Sequence, residues 1–307
     1  AINRAIEITK ENKDEAPIFY ILACRIGPFI NGIKKKIQAI GGTLLVNPDG
    51  HEWLRAKWSA PVRRYWKISE GLMVKHADLL VCDSKNIEKY IQEDYKQYQP
   101  KTTYIAYGTD TTRSTLKSSD EKVRTWFKEK NVSENEYYLV VGRFVPENNY
   151  EAMIRGFLAS NSKKDFVLIT NVEQNKFYNQ LLASTGFDKD PRVKFVGTVY
   201  DQELLKYIRE NAFAYFHGHE VGGTNPSLLE ALESTKLNLL LDVGFNREVG
   251  EQSAIYWKKD ELSQVIEEVE QFDEKMIDEL DRQSNQRIAD AFTWEKIVSD
   301  YEEVFKE

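Results

Sequence analysis

Phe216-His217-Gly218-His219-Glu220-Val221-Gly222-Gly223-Thr224-Asn225-Pro226-Ser227-Leu228-Leu229-Glu230-Ala231 is the stretch on which the reading of this chain turns. The apolar run Ala212-Phe213-Ala214-Tyr215-Phe216 reads as a buried strand, and 226–233 reads as a helix. Asn225 suits the N-cap and Pro226 the first helical position, where a missing N–H costs nothing. Gly222 and Gly223 allow the backbone to approach a ligand with no Cβ in the way. With Thr224 they lead into a helix start whose unpaired N–H groups and positive dipole end make an anion site. Glu230, about one turn into the helix, can turn back and accept hydrogen bonds from hydroxyls. Donors for a phosphate and one carboxylate for a diol are what a sugar nucleotide needs.

Further strands are predicted at 137–141, 166–169, 193–196 and 239–241, each followed by a helix-like segment. Asp201 caps one of these helices, and 292–305 reads as an amphipathic terminal helix. The first part of the chain repeats the alternation. Strands are expected at 18–23, 43–46, 78–82 and 103–106, with helices at 29–40 and 61–77 and another capped by Ser84. Short, continuously apolar strands alternating with helices mean parallel sheets covered on both faces. Residues 109–122 break the pattern with Thr, Ser, Lys and Asp and read as a linker. The expected fold class is therefore α/β, with two Rossmann-like, doubly wound parallel-sheet domains. Their bounds are 1–108 and 123–290, and a helix over 291–307 is expected to cross back to the first. Ligands of such sheets sit outside the carboxyl ends of the strands. Cys24-Arg25-Ile26-Gly27, Asp49-Gly50-His51, Tyr107-Gly108, Gly142-Arg143 and Gly197 all fall just after strands, so an active site is expected in a cleft between the domains.

At 307 residues the chain can hold two sizeable cores. It lacks a run of eighteen apolar residues, so no membrane-spanning helix is expected. It begins at Ala1 rather than Met, as a processed chain or a fragment would. Cys24 and Cys82 each adjoin an apolar run, which fits two buried, reduced thiols in a cytoplasmic protein. The net charge of −7 is uneven: residues 1–108 hold 17 Lys+Arg against 12 Asp+Glu, leaving 25 against 37 for the remainder. A basic first part on an acidic protein points to an anionic partner for that part alone.

Arg143, after a glycine at a strand end, is placed to clamp a diphosphate bidentately. Asp49 and His51 lie on a turn that follows a strand, so both side chains can enter the active edge; the competing reading is an Asx turn closed by Asp49 itself. His217 and His219 alternate along a strand and have no third ligand at metal-site spacing, so His219 is expected to hydrogen-bond ligand or backbone and no metal is expected. Trp53, Arg55, Lys57, Trp58, Arg63, Arg64, Tyr65, Trp66 and Lys67 crowd aromatic and basic groups together. Such a segment can stack on nucleic-acid bases, lodge at an anionic membrane surface or simply bury its Trp side chains. With Lys34-Lys35-Lys36 nearby in the chain, the anionic lipid surface is the functional reading preferred, and no nucleic acid is expected as a partner. Neither a GxGxxG nor a Walker loop, a GxSxG elbow or an HExxH occurs, which disfavours oxidoreductases, P-loop enzymes and esterases.

Val141-Gly142-Arg143, Phe195-Val196-Gly197-Thr198 and the entry to the helix from His219 to Glu230 resemble the donor domain of GT-B glycosyltransferases of family 4. Three longer stretches, from Asn47 to Trp58, from Gly142 to Asn149 and from His217 to Ser227, resemble the bacterial rhamnosyltransferases of capsular and cell-wall polysaccharides. The resemblance implies a retaining enzyme that uses dTDP-L-rhamnose, without a further cofactor. Its acceptor would be a glucosyl or N-acetylglucosaminyl diphospho-undecaprenol, joined β-1,4 in the glucosyl case, at the inner face of the membrane. It implies that Arg143 holds the diphosphate, Glu230 the deoxyribose, and Gly222 to Asn225 the phosphates through N–H groups. Asp49, with His51 nearby, would face the transferring sugar. Arg55, Lys57, Trp58, Arg63 and Arg64 would face acceptor and membrane.

The sequence departs from the family pattern in three places. Asn148 and Asn149 stand where the family has a lysine, and Gly222 stands at the first of its two glutamates. The family's opening strand and glycine-rich loop have no counterpart here, an expected shortfall of roughly 80 residues. A non-catalytic sugar-nucleotide binder or scaffold is the alternative function that this last departure implies. The sequence leaves the oligomeric state open.

Overall fold

The computed structural model describes residues 1–12, 15–55 and 57–306. The chain divides into two compact units: Ala1–Tyr107 with Val221–Thr224 and Glu295–Glu307, and Gly108–Glu220 with Asn225–Trp294. The first holds α1 (Ile2–Asn12), β1 (Ile18–Leu22), α2 (Gly27–Gln38), β2 (Thr43–Asn47), α3 (Ala60–His76), β3 (Leu79–Cys82), α4 (Lys85–Asp94) and β4 (Thr102–Tyr104). The second holds α5 (Glu121–Lys130), β5 (Tyr137–Val141), α6 (Tyr150–Ala159), β6 (Asp165–Ile169), α7 (Lys176–Thr185), β7 (Val193–Gly197) and α8 (Gln202–Glu210). It continues through β8 (Ala214–His217), α9 (Pro226–Ser234), β9 (Asn238–Leu241), α10 (Gly244–Gly250), β10 (Ile255–Trp257), α11 (Leu262–Val269) and α12 (Glu274–Ala291). The last helix, α13 (Trp294–Lys306), lies almost wholly in the first unit.

Both sheets are parallel throughout, the first in order β1-β2-β3-β4 and the second in order β10-β9-β8-β5-β6-β7. The second sheet is covered on both faces, which is why its strands are predominantly apolar, with Asp165, Lys194, His217 and Asn238 at or near strand ends as the exceptions. Tyr138, Val140, Phe166, Leu168, Phe216 and Leu239 pack in the core on one face, and Tyr137, Leu139, Val167, Ile169 and Tyr215 in the core on the other. In the first unit Phe19, Leu44, Val46, Leu80 and Cys82 pack on Ile30, Ile37 and Met73 of the helices. Cys24 and Cys82 are free and buried.

The capping residues act as their chemistry requires. Ser84 accepts from Asn86 N at 3.1 Å, Asp201 from Leu204 N at 3.1 Å and Asn225 from Ser227 N at 2.9 Å. The strand expected at 103–106 is displaced: β4 ends at Tyr104, and Ile105 and Ala106 are buried beyond it. The helices α1 and α12 and the edge strand β10 were not expected. Residues 109–120 carry neither helix nor strand yet are tied to the second unit, Ser114 N to Glu210 at 2.7 Å and Thr115 N to Glu203 at 2.8 Å.

Glu233 on α9 gives this unit a pH dependence. It is 8% exposed, and burial, with Asp281, Asp110 and Glu210 nearby, raises its pKa to about 7 against an ordinary 4.5; Arg113 opposes the shift. The folded state thus retains a proton that the unfolded chain has released, so this contribution is complete below about 4.5 and is lost as pH rises through about 7. Thermal melts at pH 5.5 and 8 should show Glu233→Gln losing less stability between the two than the parent, by a few degrees. Equal losses would place the Glu233 titration elsewhere.

Candidate functional site

The strand order of the second sheet reverses at β5, with β6 on one side and β8 on the other. The connection leaving β5 runs towards β6 and that leaving β8 towards β9, in opposite directions, which opens a crevice above the carboxyl ends of β5 and β8. A pocket of about 240 Å³ lies there, lined by Gly142 and Arg143 after β5, by His217, Gly218 and His219 at the end of β8, by Asn148, and by Asn225, Pro226 and Ser227 at the start of α9.

Hydrogen bonds fix this wall. Ser227 Oγ donates to the Val141 carbonyl at 3.0 Å, and Tyr215 Oη reaches the same carbonyl at 3.1 Å and Ser227 Oγ at 2.9 Å. The first turn of α9 is thereby tied to the last residue of β5. Asn148 links the other two loops: its Nδ2 donates to the Arg143 carbonyl at 2.8 Å. That orientation makes Oδ1 the acceptor for His219 Nδ1–H at 2.7 Å. Asn149 Nδ2 donates to the Gly218 carbonyl and to Glu220 Oε2, both at 2.8 Å. Both asparagines are thus loop braces, built into the place where the family resemblance would put a cation.

Arg143 is exposed and forms no ion pair among the described residues, so its guanidinium is available to an anion. Glu230 is held differently from expectation. Its Oε2 lies 2.5 Å from Nη2 of Arg209, a buried guanidinium whose importance the sequence did not signal. The Glu230 side chain remains 43% exposed, so it can still accept from a hydroxyl while Arg209 balances its charge. Burial drives the His217 imidazole well below its ordinary pKa, with His219 adding to the shift. Among the described residues, no group of three His, Cys, Asp or Glu side chains could hold a metal ion.

Gly222, Gly223 and Thr224 belong to the first unit. Their tight approaches are to protein: a Cβ on Gly223 would sit 2.4 Å from Asp83 Oδ1, and one on Gly50 2.4 Å from Gly222 Cα. The Thr224 hydroxyl donates to the Asp83 carbonyl. Gly223 and Gly50 thus answer to packing within the protein, and Gly222 to its positive φ of 139°.

Also in the first unit, Asp49 and His51 have left-handed backbones, at φ 58° and 46°. Asp49 N donates to Asn47 Oδ1 and Gly50 N to Asp49 Oδ1, both at 2.7 Å, which is the Asx-type closure. Glu52 organises the loop that follows. It pairs with buried Arg55, sits 2.9 Å from Lys57 Nζ and accepts from Trp58 Nε1 at 2.9 Å. Arg55 and Lys57 therefore balance the Glu52 carboxylate, and Arg55 Nη2 also lies 3.8 Å from Asp49 Oδ1, so Arg55 presents no open cationic surface. Arg63 donates to the Trp53 carbonyl at 2.8 Å, and both Arg63 and Arg64 are exposed beside Tyr65 and Ile68 on α3. Lys34 is buried against Asp78, which removes it from the basic surface expected of Lys34-Lys35-Lys36. The His51 ring packs on that of Tyr90, tilted by 46° with centroids 4.2 Å apart. Burial is the main force lowering its pKa, and Lys67 lowers it further against Glu70 and Asp94.

A family model described as "Domain of unknown function (DUF1972)" matches residues 1–110. Curated proteins give no sequence match. Among solved structures, Anabaena Alr3699/HepE in complex with UDP has a TM-score of 0.73 at 14% identity, covering 99% of this chain and 81% of that one. Sucrose-phosphate synthase from Thermosynechococcus elongatus has a TM-score of 0.77 at 16% identity, covering 99% and 77%. A glycosyltransferase from Rickettsia africae has a TM-score of 0.78 at 13% identity, covering 99% and 79%. The fold is GT-B. In GT-B terms, the pocket described above belongs to the second of the two Rossmann-like units.

Gly218 tests this geometry. A Cβ there would lie 2.4 Å from the Asn148 backbone oxygen, which no rotamer change can relieve. Gly218→Ala should destabilise by roughly 1–3 kcal/mol in urea unfolding. An unchanged midpoint would mean that the two loops are not packed this closely.

Proposed function

We propose that this protein is a nucleotide-sugar-dependent glycosyltransferase. The observation that carries the reading is the pocket at the strand-order reversal, lined both by Arg143, which has no ion pair among the described residues, and by a capped helix N-terminus. Solved chains of the same fold were crystallised with UDP and with UDP-glucose, which supports a nucleotide sugar as the ligand class here. Arg143 and the first N–H groups of α9 would hold the diphosphate, and Glu230 a sugar diol of the nucleoside.

The finer reading comes from the motif resemblance. The donor is dTDP-L-rhamnose, transferred with retention to glucosyl or N-acetylglucosaminyl diphospho-undecaprenol in the synthesis of a capsular or cell-wall polysaccharide. As the C1–O bond to the diphosphate breaks, the leaving phosphate oxygen takes the proton of the acceptor hydroxyl, and that hydroxyl oxygen forms the new bond on the same face. Neutralising the departing diphosphate and aligning the acceptor are then the chief catalytic tasks. Asp49 and His51 would face the transferring sugar. A lipid-linked acceptor requires a membrane surface, and exposed Arg63 and Arg64 beside Tyr65 and Ile68 suit an anionic one. The protein would work on the cytoplasmic face as a peripheral enzyme.

Purified protein incubated with radiolabelled dTDP-L-rhamnose and the glucosyl lipid should yield labelled lipid, and Arg143→Ala should lower transfer and weaken dTDP binding by about tenfold or more. Consumption of UDP-glucose in place of dTDP-L-rhamnose would overturn the donor assignment. Tight donor binding with no transfer to either acceptor would favour the non-catalytic alternative. On vesicles containing anionic lipid, Arg63→Ala with Arg64→Ala should bind about tenfold less while dTDP affinity is unchanged. Equal vesicle binding would remove this surface from the account.

A further inference from the structure

His217 is a buried group in the pocket whose Nε2 the framework of loop and helix bonds leaves unused. It is 5% exposed, it lines the cavity, and its Nε2 has no hydrogen-bond partner among the described residues. A buried polar atom of this kind is rare and costs free energy unless something meets it. Its place in the fold says what could. Tyr215 and His217 stand two apart on β8 and so share a face, with their rings nearly parallel at 24° and 6.2 Å between centroids. The Tyr215 hydroxyl touches Ser227 in the first turn of α9. His217 is one step further towards the carboxyl end of the strand, about 7 Å on by strand rise, beside the beginning of that helix.

We propose that His217 Nε2–H donates a hydrogen bond to a phosphate oxygen of a nucleoside diphosphate bound in this pocket, as a neutral donor alongside Arg143 and the N-terminus of α9. The proposal rests on the nucleotide-sugar reading above and adds a ligand contact to it. Burial, reinforced by His219, favours the uncharged imidazole, which can carry one N–H and make this bond without adding charge. A neutral donor suits a site that must release its diphosphate product, because it recognises phosphate oxygen without deepening the electrostatic trap.

Calorimetry of the full chain with dTDP and with thymidine tests this, using His217→Phe and His217→Gln after thermal melts have shown both to be folded. Loss of one hydrogen bond to a charged group should weaken dTDP binding about tenfold in His217→Phe, leave thymidine binding unchanged and be partly restored by the amide of His217→Gln. In the parent labelled with 15N-histidine, the Nε2 resonance of His217 should move on adding dTDP and stay in place with thymidine. Parent-like dTDP affinity in His217→Phe, or an equal loss for dTDP and thymidine, would overturn the proposal. A parent that binds no nucleoside diphosphate would overturn the nucleotide reading itself, and this contact with it.

Discussion

The carbonyl of Val141 is the point on which the second unit's site depends. It ends β5, and Ser227 and Tyr215 both hydrogen-bond to it. Each such bond is worth only about 1 kcal/mol net. Their effect is chiefly geometric: they fix where α9 begins relative to the strand that carries Gly142 and Arg143. Asn225 closes the helix end by accepting from Ser227 N, and Pro226 needs no partner. What remains is a rigid floor with a cation on one side and a positive helix end on the other. Asn148 then spans the two loops above it, holding the Arg143 backbone and the His219 ring with one amide.

In the first unit a comparable constraint is charge balance. Glu52 is met by Arg55, Lys57 and Trp58, and Glu70 accepts from Tyr90 and from Tyr95 at 2.5 Å. Lys67 lies over the rings of Trp53, Tyr90 and Tyr95 at 4.7 to 4.8 Å. Buried Glu70 and partly buried Glu52 are tolerable because each has several donors. The same bonds stiffen the loop carrying Asp49 and His51, which keep left-handed backbones only because their surroundings hold them there.

Most strands and caps were legible in the sequence because they follow from local chemistry. Tyr137 to Val141 is apolar at every position, and Ser84, Asp201 and Asn225 are unambiguous caps. The edge strand β10 was not, since Ile255-Tyr256-Trp257 is three residues long and depends on pairing with β9. At the site, Arg143 and the entry to α9 could be read from residue type and position, but pairings made far along the chain could not. Nothing local ties Arg209 to Glu230 or hands Lys34 to Asp78. Gly222 and Gly223 show the same limit, because a glycine signals close approach without saying to what.

The central claim is that the crevice at the strand-order reversal binds a nucleoside diphosphate. The most direct measurement is a calorimetric titration of the protein with dTDP, UDP and NAD in parallel, repeated on Arg143→Ala. The account predicts saturable binding of dTDP, silence with NAD, and marked weakening in the variant. Flat traces with all three, or dTDP binding that is indifferent to Arg143, would contradict it.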